Sequence, residues 1–148
     1  MPFGYHGCYL RIDVSGGPST DRAEPSASFD SLRTGSVERV PLADAVLRQF
    51  IGGSGLGARL LLDAGCGHLD ALDPRAPLVF AFSPLVGSPL TTSAKFAVVS
   101  KSPLTDRIND SLASSGFAIA GKACGCDAIV IVGRAPALSV LIVDDGRV

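Results

Sequence analysis

KFAVVSKSPLTDRINDSLASSGFAIAGKACGCDAIVIVGRA, residues 95–135, decides the fold. It reads as an apolar strand, a tight polar loop, a helix that begins on small residues, and a second buried strand. A scaffold of this kind presents backbone N–H groups and a helix N-terminus to a large polar ligand. Within it, residues 96–99 and 128–132 are apolar, partly β-branched runs bounded by polar or Gly residues, as strands buried on both faces tend to be. Residues 113–123, rich in Ala and Gly, favour helix.

Working outward, residues 78–82 form another buried strand and residues 139–143 a further one, ending at an Asp144-Asp145-Gly146 hairpin turn. No return strand follows that turn, so the chain reads as an incomplete domain. Towards the N-terminus, residues 9–14 alternate apolar and polar side chains before Ser15-Gly16-Gly17-Pro18, a half-buried strand ending in a turn whose partner is 37–40. The Ser-, Pro- and charge-rich segment between them has only Phe29 and Leu32 as apolar anchors and reads as a surface-loop insertion over residues 15–36. Leu42, Val46, Leu47 and Phe50 share one face of a helix that stops at Gly52-Gly53, and a short second helix covers 56–62. The sum is an α+β fold: a mixed β-sheet platform with short helices.

A chain of 148 residues, 47% of them apolar, is the size of one domain and long enough to bury a core. Thirteen basic against 14 acidic residues give a net charge of -1, and no basic run interleaves with aromatics, which argues against a nucleic-acid partner. No apolar run approaches the roughly 18 to 20 residues that span a bilayer, and the N-terminus lacks the layout of a signal peptide. A cytoplasmic protein with reduced thiols follows, since Cys124-Gly-Cys126 is a poor disulfide framework.

Three motifs invite chemistry. Gly52-Gly53-Ser54-Gly55-Leu56-Gly57-Ala58 contains G-x-G-x-x-A, but a dinucleotide fingerprint needs a strand before it, and residues 43–50 look helical; a Gly junction packing two helices closely is the competing reading. Cys124 and Cys126 would make half a metal site with His6, Cys8 or His68, against the alternative that small thiols between helix and strand pack as apolar side chains. Nothing resembles a catalytic triad, and Asp144 with Asp145 reads as turn chemistry, so no catalytic residue and no metal ligand is assigned. The Ser, Thr and Gly residues at the strand ends differ: Thr91-Thr92-Ser93, Ser100-Lys101-Ser102 and Ser114-Ser115-Gly116 supply short donors, with Lys95 adding a positive charge.

Gly4-Tyr5-His6-Gly7 leading into YLRIDV, Phe50-Ile51-Gly52-Gly53 with Gly55-Leu56-Gly57, Leu72-Asp73-Pro74, FAVVSKSPLT over 96–105 and CDAIVIVGRA over 126–135 together resemble the N-terminal domain of the aldehyde ferredoxin oxidoreductases. The resemblance implies a platform of two related sheet-containing halves with a tungsten or molybdenum bis-pterin cofactor between them. It also implies oxidation of an aldehyde to a carboxylic acid, with ferredoxin as electron acceptor and a 4Fe-4S cluster in later domains. This chain would hold the first half and the start of the second, needing the remaining domains of the enzyme as partners, and a homodimer is left open. The family's C-x-x-C-x-x-x-C cluster run is absent from the chain.

By the same resemblance, Lys95, Ala113, Ser114 and Ser115 would hold the cofactor. Lys95 stands where the family usually has Arg. The family's N-S-G-G falls on Leu112-Ala113-Ser114-Ser115, or shifted by one on Ala113-Ser114-Ser115-Gly116, and its Gly-Gly-Arg-Gly reads Gly52-Gly53-Ser54-Gly55. These departures motivate an alternative, a non-catalytic relative that keeps the platform as a structural or partner-binding module. A nucleotide-binding module built on the loop at 52–58 is the third reading.

Overall fold

A computed structural model describes residues 4–16, 35–145 and 147–148. Most of the expected insertion at 15–36, with Phe29 and Leu32, lies outside these residues, as do Gly17, Pro18 and Gly146. The elements in chain order are β1 (Cys8–Asp13), β2 (Ser36–Pro41), α1 (Asp44–Phe50), α2 (Gly53–Asp63), β3 (Leu78–Phe82), β4 (Lys95–Lys101), β5 (Ile108–Ser114), α3 (Gly116–Ala123) and β6 (Ala128–Val132). The strands make one mixed sheet of order β2-β1-β6-β3-β4-β5, parallel only between β1 and β6. This is the α+β platform read from the sequence.

The alternation of β1 puts Leu10 and Ile12 on one face and Tyr9 on the other. Helices α1 and α2 cover the second face, where Leu56, Leu60 and Leu61 pack on Val79, Ala81, Ala97, Val99, Ala128 and Val130. Helix α3 covers part of the first, with Ala118 in a cluster with Leu10, Ile12, Phe82, Phe96 and Ile129. Two-sided burial explains why β3, β4 and β6 read as apolar runs rather than alternating ones. Leu47 of α1 is fully buried, while Leu42, Val46 and Phe50 pack at the edge of the core, close to the helical face expected for them.

Three expectations need correction. Residues 108–114 are not loop and helix start but strand β5, paired along its whole length with β4. INDSLAS carries no strand pattern because every one of its residues is exposed, so no buried face imposes alternation and the ladder to β4 alone holds it extended. The helix therefore begins at Gly116 rather than at Ala113. Residues 139–143 form no strand: Leu141 and Val143 pack against the α3 face without a ladder partner. The turn beyond them is present, with Asp144 and Arg147 exchanging backbone hydrogen bonds of 2.9 and 2.8 Å. Finally, α2 starts at Gly53, three residues before the expected 56, so the Gly-rich stretch is itself helical.

Candidate functional site

The sheet pairing gathers the four residues singled out for the cofactor. Lys95 opens β4 and sits in register with Ser114 at the end of β5; Phe96 is opposite Ala113. The chain then turns at Ser115, whose N–H donates to the Ala94 carbonyl at 3.2 Å and whose hydroxyl accepts from Phe117 N–H at 3.1 Å, capping α3. Phe117 anchors that first turn on the sheet, its ring 4.9 Å from Phe96 and 5.6 Å from Phe80. Lys95, Ala113, Ser114 and Ser115 are all exposed. One end of the sheet thus carries the Lys95 ammonium and Ser114 hydroxyl on the face of Ala97 and Val99, with the α3 N-terminus on the opposite face at the same end.

The donor set suits an anionic edge such as the phosphate of a pterin. Gly116 at the first helical position has no intrahelical acceptor for its N–H, and the helix dipole favours negative charge there. A Cβ built on Gly116 meets nothing within 4 Å, so the side-chain side of this residue is open. Ser115 has φ -165°, extended backbone that any residue adopts, so Ser in place of a family Gly imposes no strain at that position. Lys95 supplies charge but not the two-pronged geometry of Arg.

The polar loops do not all converge. Lys101 and Ser102 lie at the far end of β4, Lys101 six residues or roughly 20 Å from Lys95 at about 3.3 Å per residue. There Lys101 is engaged structurally: Nζ donates to the Leu69 carbonyl at 2.7 Å and pairs with Asp106 at 2.7 Å. The Ser102 hydroxyl accepts from Leu104 and Thr105 N–H, so the KSPLT loop is a self-capped turn. The loop of Thr91, Thr92 and Ser93 stands at the Lys95 end together with Ser114-Ser115-Gly116, the Ser93 carbonyl accepting from Lys95 N–H at 2.7 Å.

Helix α1 occupies the place where a dinucleotide fingerprint would need a strand, which removes the nucleotide-binding reading. The glycines serve packing instead. Gly52, at φ +95°, brings its backbone so close to β3 that a Cβ would lie 2.5 Å from the Phe82 carbonyl oxygen. Gly57 lies directly against Val99 of β4, and Ser54, where the family carries Arg, donates to Asp110 of β5 at 2.7 Å.

The sequence reading missed one polar centre. Lys122 of α3 and Asp127, both buried, pair at 2.5 Å, and the Asp127 carboxylate also accepts from the N–H groups of His6 (3.0 Å) and Gly7 (2.8 Å). The Tyr5 ring lies 5.8 Å below the Lys122 ammonium, and burial followed by the Asp127 charge pushes its hydroxyl pKa up. A Lys and an Asp within otherwise apolar runs were the available signal. The network explains why Gly4-Tyr5-His6-Gly7 and CDAIVIVGRA belong together: one docks on the other.

Of the metal candidates, Cys8 does approach Cys124 and Cys126, whereas His68 stands on the α2 side of the sheet beside buried Cys66. Burial pushes the Cys126 thiol up to about 12 and raises that of Cys66. No three His, Cys, Asp or Glu side chains among the described residues are arranged to hold a metal ion. An apolar groove of about 430 Å³ between α3, β3, β6 and Leu141 contains no titratable group except Cys124.

Residues 31–148 match the sequence profile of the aldehyde ferredoxin oxidoreductase N-terminal domain. The chain belongs to that family. A tungsten-containing aldehyde ferredoxin oxidoreductase of Pyrococcus abyssi is 30% identical over 148 residues, 99% of this chain and 21% of the relative. An aliphatic sulfonate oxidoreductase WOR-like subunit of Pyrococcus furiosus is 33% identical over 76% of this chain and 18% of its own length. Among solved structures, the active-site complex BamBC of benzoyl coenzyme A reductase with 1,5-dienoyl-CoA superposes with a TM-score of 0.76 at 26% identity, covering 93% of this chain and 18% of that one. The chain thus spans about a fifth of the length of the relatives it matches. None of the helices among the described residues is long and apolar enough to cross a membrane.

Proposed function

We propose that this chain is the cofactor-platform part of a tungsten- or molybdenum-containing bis-pterin oxidoreductase that oxidises an aldehyde to a carboxylic acid and passes the electrons to ferredoxin. The observation that carries the reading is that Lys95, Ser114, Ser115 and the α3 N-terminus all lie at one exposed sheet end, the first two on the face opposite α3, so that a large group capping that end could reach both faces. Lys95 would balance phosphate charge, the Ser114 hydroxyl and Gly116 N–H would donate to phosphate or ring edges, and the small side chain of Ala113 would admit the ring system closely. When bound, the metal and its dithiolenes supply the two-electron chemistry; these residues orient the group and exclude water from its edge. The 4Fe-4S cluster, the aldehyde pocket and the ferredoxin contact belong on this reading to the remaining domains, which would pack on apolar side chains exposed here, such as Leu112 at 68% and Leu104 at 91%.

The test is metal and pterin analysis of the full native enzyme purified without oxygen, with aldehyde-dependent reduction of ferredoxin as the activity. Tungsten or molybdenum with two pterins per metal is expected, and Lys95→Ala should lower metal occupancy severalfold while Lys95→Arg retains it. Folded protein without metal or pterin overturns the reading and favours the alternative, a non-catalytic relative using the platform to bind a partner. That alternative is motivated by Lys in place of Arg and by a Ser115 hydroxyl already engaged as a helix cap. Because similar proteins include an aliphatic sulfonate oxidoreductase subunit and a benzoyl coenzyme A reductase in complex with 1,5-dienoyl-CoA, the same ferredoxin-reduction assay run with an alkyl sulfonate and with a dienoyl-CoA as electron donors identifies the substrate class.

A further inference from the structure

Three of the four cysteines meet at the same end of the sheet as Lys95, on β1 and β6 rather than on β4 and β5. Cys8 opens β1, Cys124 ends α3 and Cys126 precedes β6; pairing of β1 with β6, extended by Asp127 N–H donating to the Cys8 carbonyl at 2.8 Å, brings them together. Cys8 Sγ lies 3.4 Å from the carbonyl oxygen of Gly125, the residue between the other two cysteines. The Cα atoms of Cys124 and Cys126 each lie about 3.8 Å from that of Gly125, so both thiols flank the residue that Cys8 touches. Arg39 crosses from β2 to the same point: Nη1 donates to the Gly125 carbonyl at 2.9 Å and stands 3.9 Å from Cys8 Sγ, and Nη2 donates to the Cys124 carbonyl at 2.9 Å. A partly exposed thiol beside a guanidinium is the setting in which protein thiols react with oxidants.

We propose that Cys8 and Cys124 are a dithiol closed to a disulfide by hydrogen peroxide. The Cys8 sulfur attacks one peroxide oxygen and the O–O bond breaks. Cys8 becomes a sulfenic acid, and the thiol proton leaves with the second oxygen as water. The Cys124 sulfur then attacks the Cys8 sulfur, the S–O bond breaks, and the departing hydroxide takes the Cys124 proton to form a second water. Two thiols and one peroxide give one disulfide and two waters, the two sulfurs losing one electron each.

Cys124 rather than Cys126 is the partner for reasons of access. Cys126 is fully buried, with Sγ 3.8 Å from the Gly121 carbonyl inside the core and a thiol that keeps its proton to about pH 12. Cys124 is half-buried at the last turn of α3, its Sγ 3.3 Å from the Ala120 carbonyl at the helix surface. The closed bond would tie the start of β1 to the C-terminus of α3.

The test is treatment of the reduced full chain with stoichiometric hydrogen peroxide, alkylation of remaining thiols under denaturing conditions, and peptide mass analysis with fragmentation. A Cys8–Cys124 cross-link two hydrogens lighter than the reduced peptides is expected, with Cys66 and Cys126 alkylated. The cross-link should persist in Cys126→Ala and vanish in Cys124→Ala, with circular dichroism showing both variants folded. Alkylation of both Cys8 and Cys124 after peroxide, or a cross-link through Cys126 in the unsubstituted chain, overturns the proposal.

Discussion

Asp127 collects the N–H groups of His6 and Gly7 and the ammonium of Lys122 on a single buried carboxylate. Replacing it with Asn keeps an acceptor for the loop but strands the Lys122 charge in the interior, and breaking a buried pair in this way costs about 3 to 5 kcal/mol. Asp127→Asn should therefore lower the unfolding free energy by an amount in that range in urea titration, and Asp127→Asn with Lys122→Met should recover part of the loss. Nothing local in CDAIV marks this Asp as the anchor of a loop 120 residues earlier, because burial of a charge depends on partners that sequence spacing does not reveal. Lys95, Ala113, Ser114 and Ser115 were legible as a group only through the family resemblance; their proximity comes from a β4–β5 ladder that their own polarity conceals.

At the scale of elements, α2 lies against β4 because Gly57 leaves room for the Val99 side chain. A methyl group there overlaps Val99, and overpacking of this kind costs about 1 to 3 kcal/mol. Gly57→Ala is expected to lose that much in thermal or urea unfolding, and Val99→Ala should relieve only part of the cost, because the Val99 Cβ itself would lie 2.8 Å from the new methyl; a double-mutant cycle measures the coupling directly. Strands β3, β4 and β6 were readable because burial on both faces writes an unbroken apolar run. The edge strand β5 was not, since exposure on every residue removes the pattern. The converse failure occurs at 139–143, where an apolar run packs onto a sheet face without joining it. The helix junction was legible because the residues before Gly52 carry helical spacing, and the missing strand is what a nucleotide site would have required; that 53–58 would themselves be helical was hidden by their glycines.

For the whole molecule, burial of the Cys126 thiol makes stability depend on pH. Its native pKa is pushed up to about 12 from an ordinary value of 9.0. Above pH 9 the unfolded chain releases this proton while the folded chain keeps it, so the stabilisation is complete below pH 9 and is lost progressively towards pH 12. Urea unfolding of wild-type protein should thus lose more free energy between pH 9 and 11 than that of Cys126→Ala. Equal slopes would place the thiol in contact with water.

The position of β6 has a consequence for how the chain assembles. It is the last of the six strands to leave the ribosome, yet it belongs between β1 and β3. Until residues 128–132 emerge, the β1–β2 hairpin and the β3–β4–β5 meander are separate pieces, each with an unpaired apolar edge. Joining them requires a pairing across most of the chain, a slow non-local step that leaves nascent edges open to intermolecular pairing. The strand that completes the sheet is thus also the one whose late arrival sets the interval during which synthesis is most exposed to aggregation.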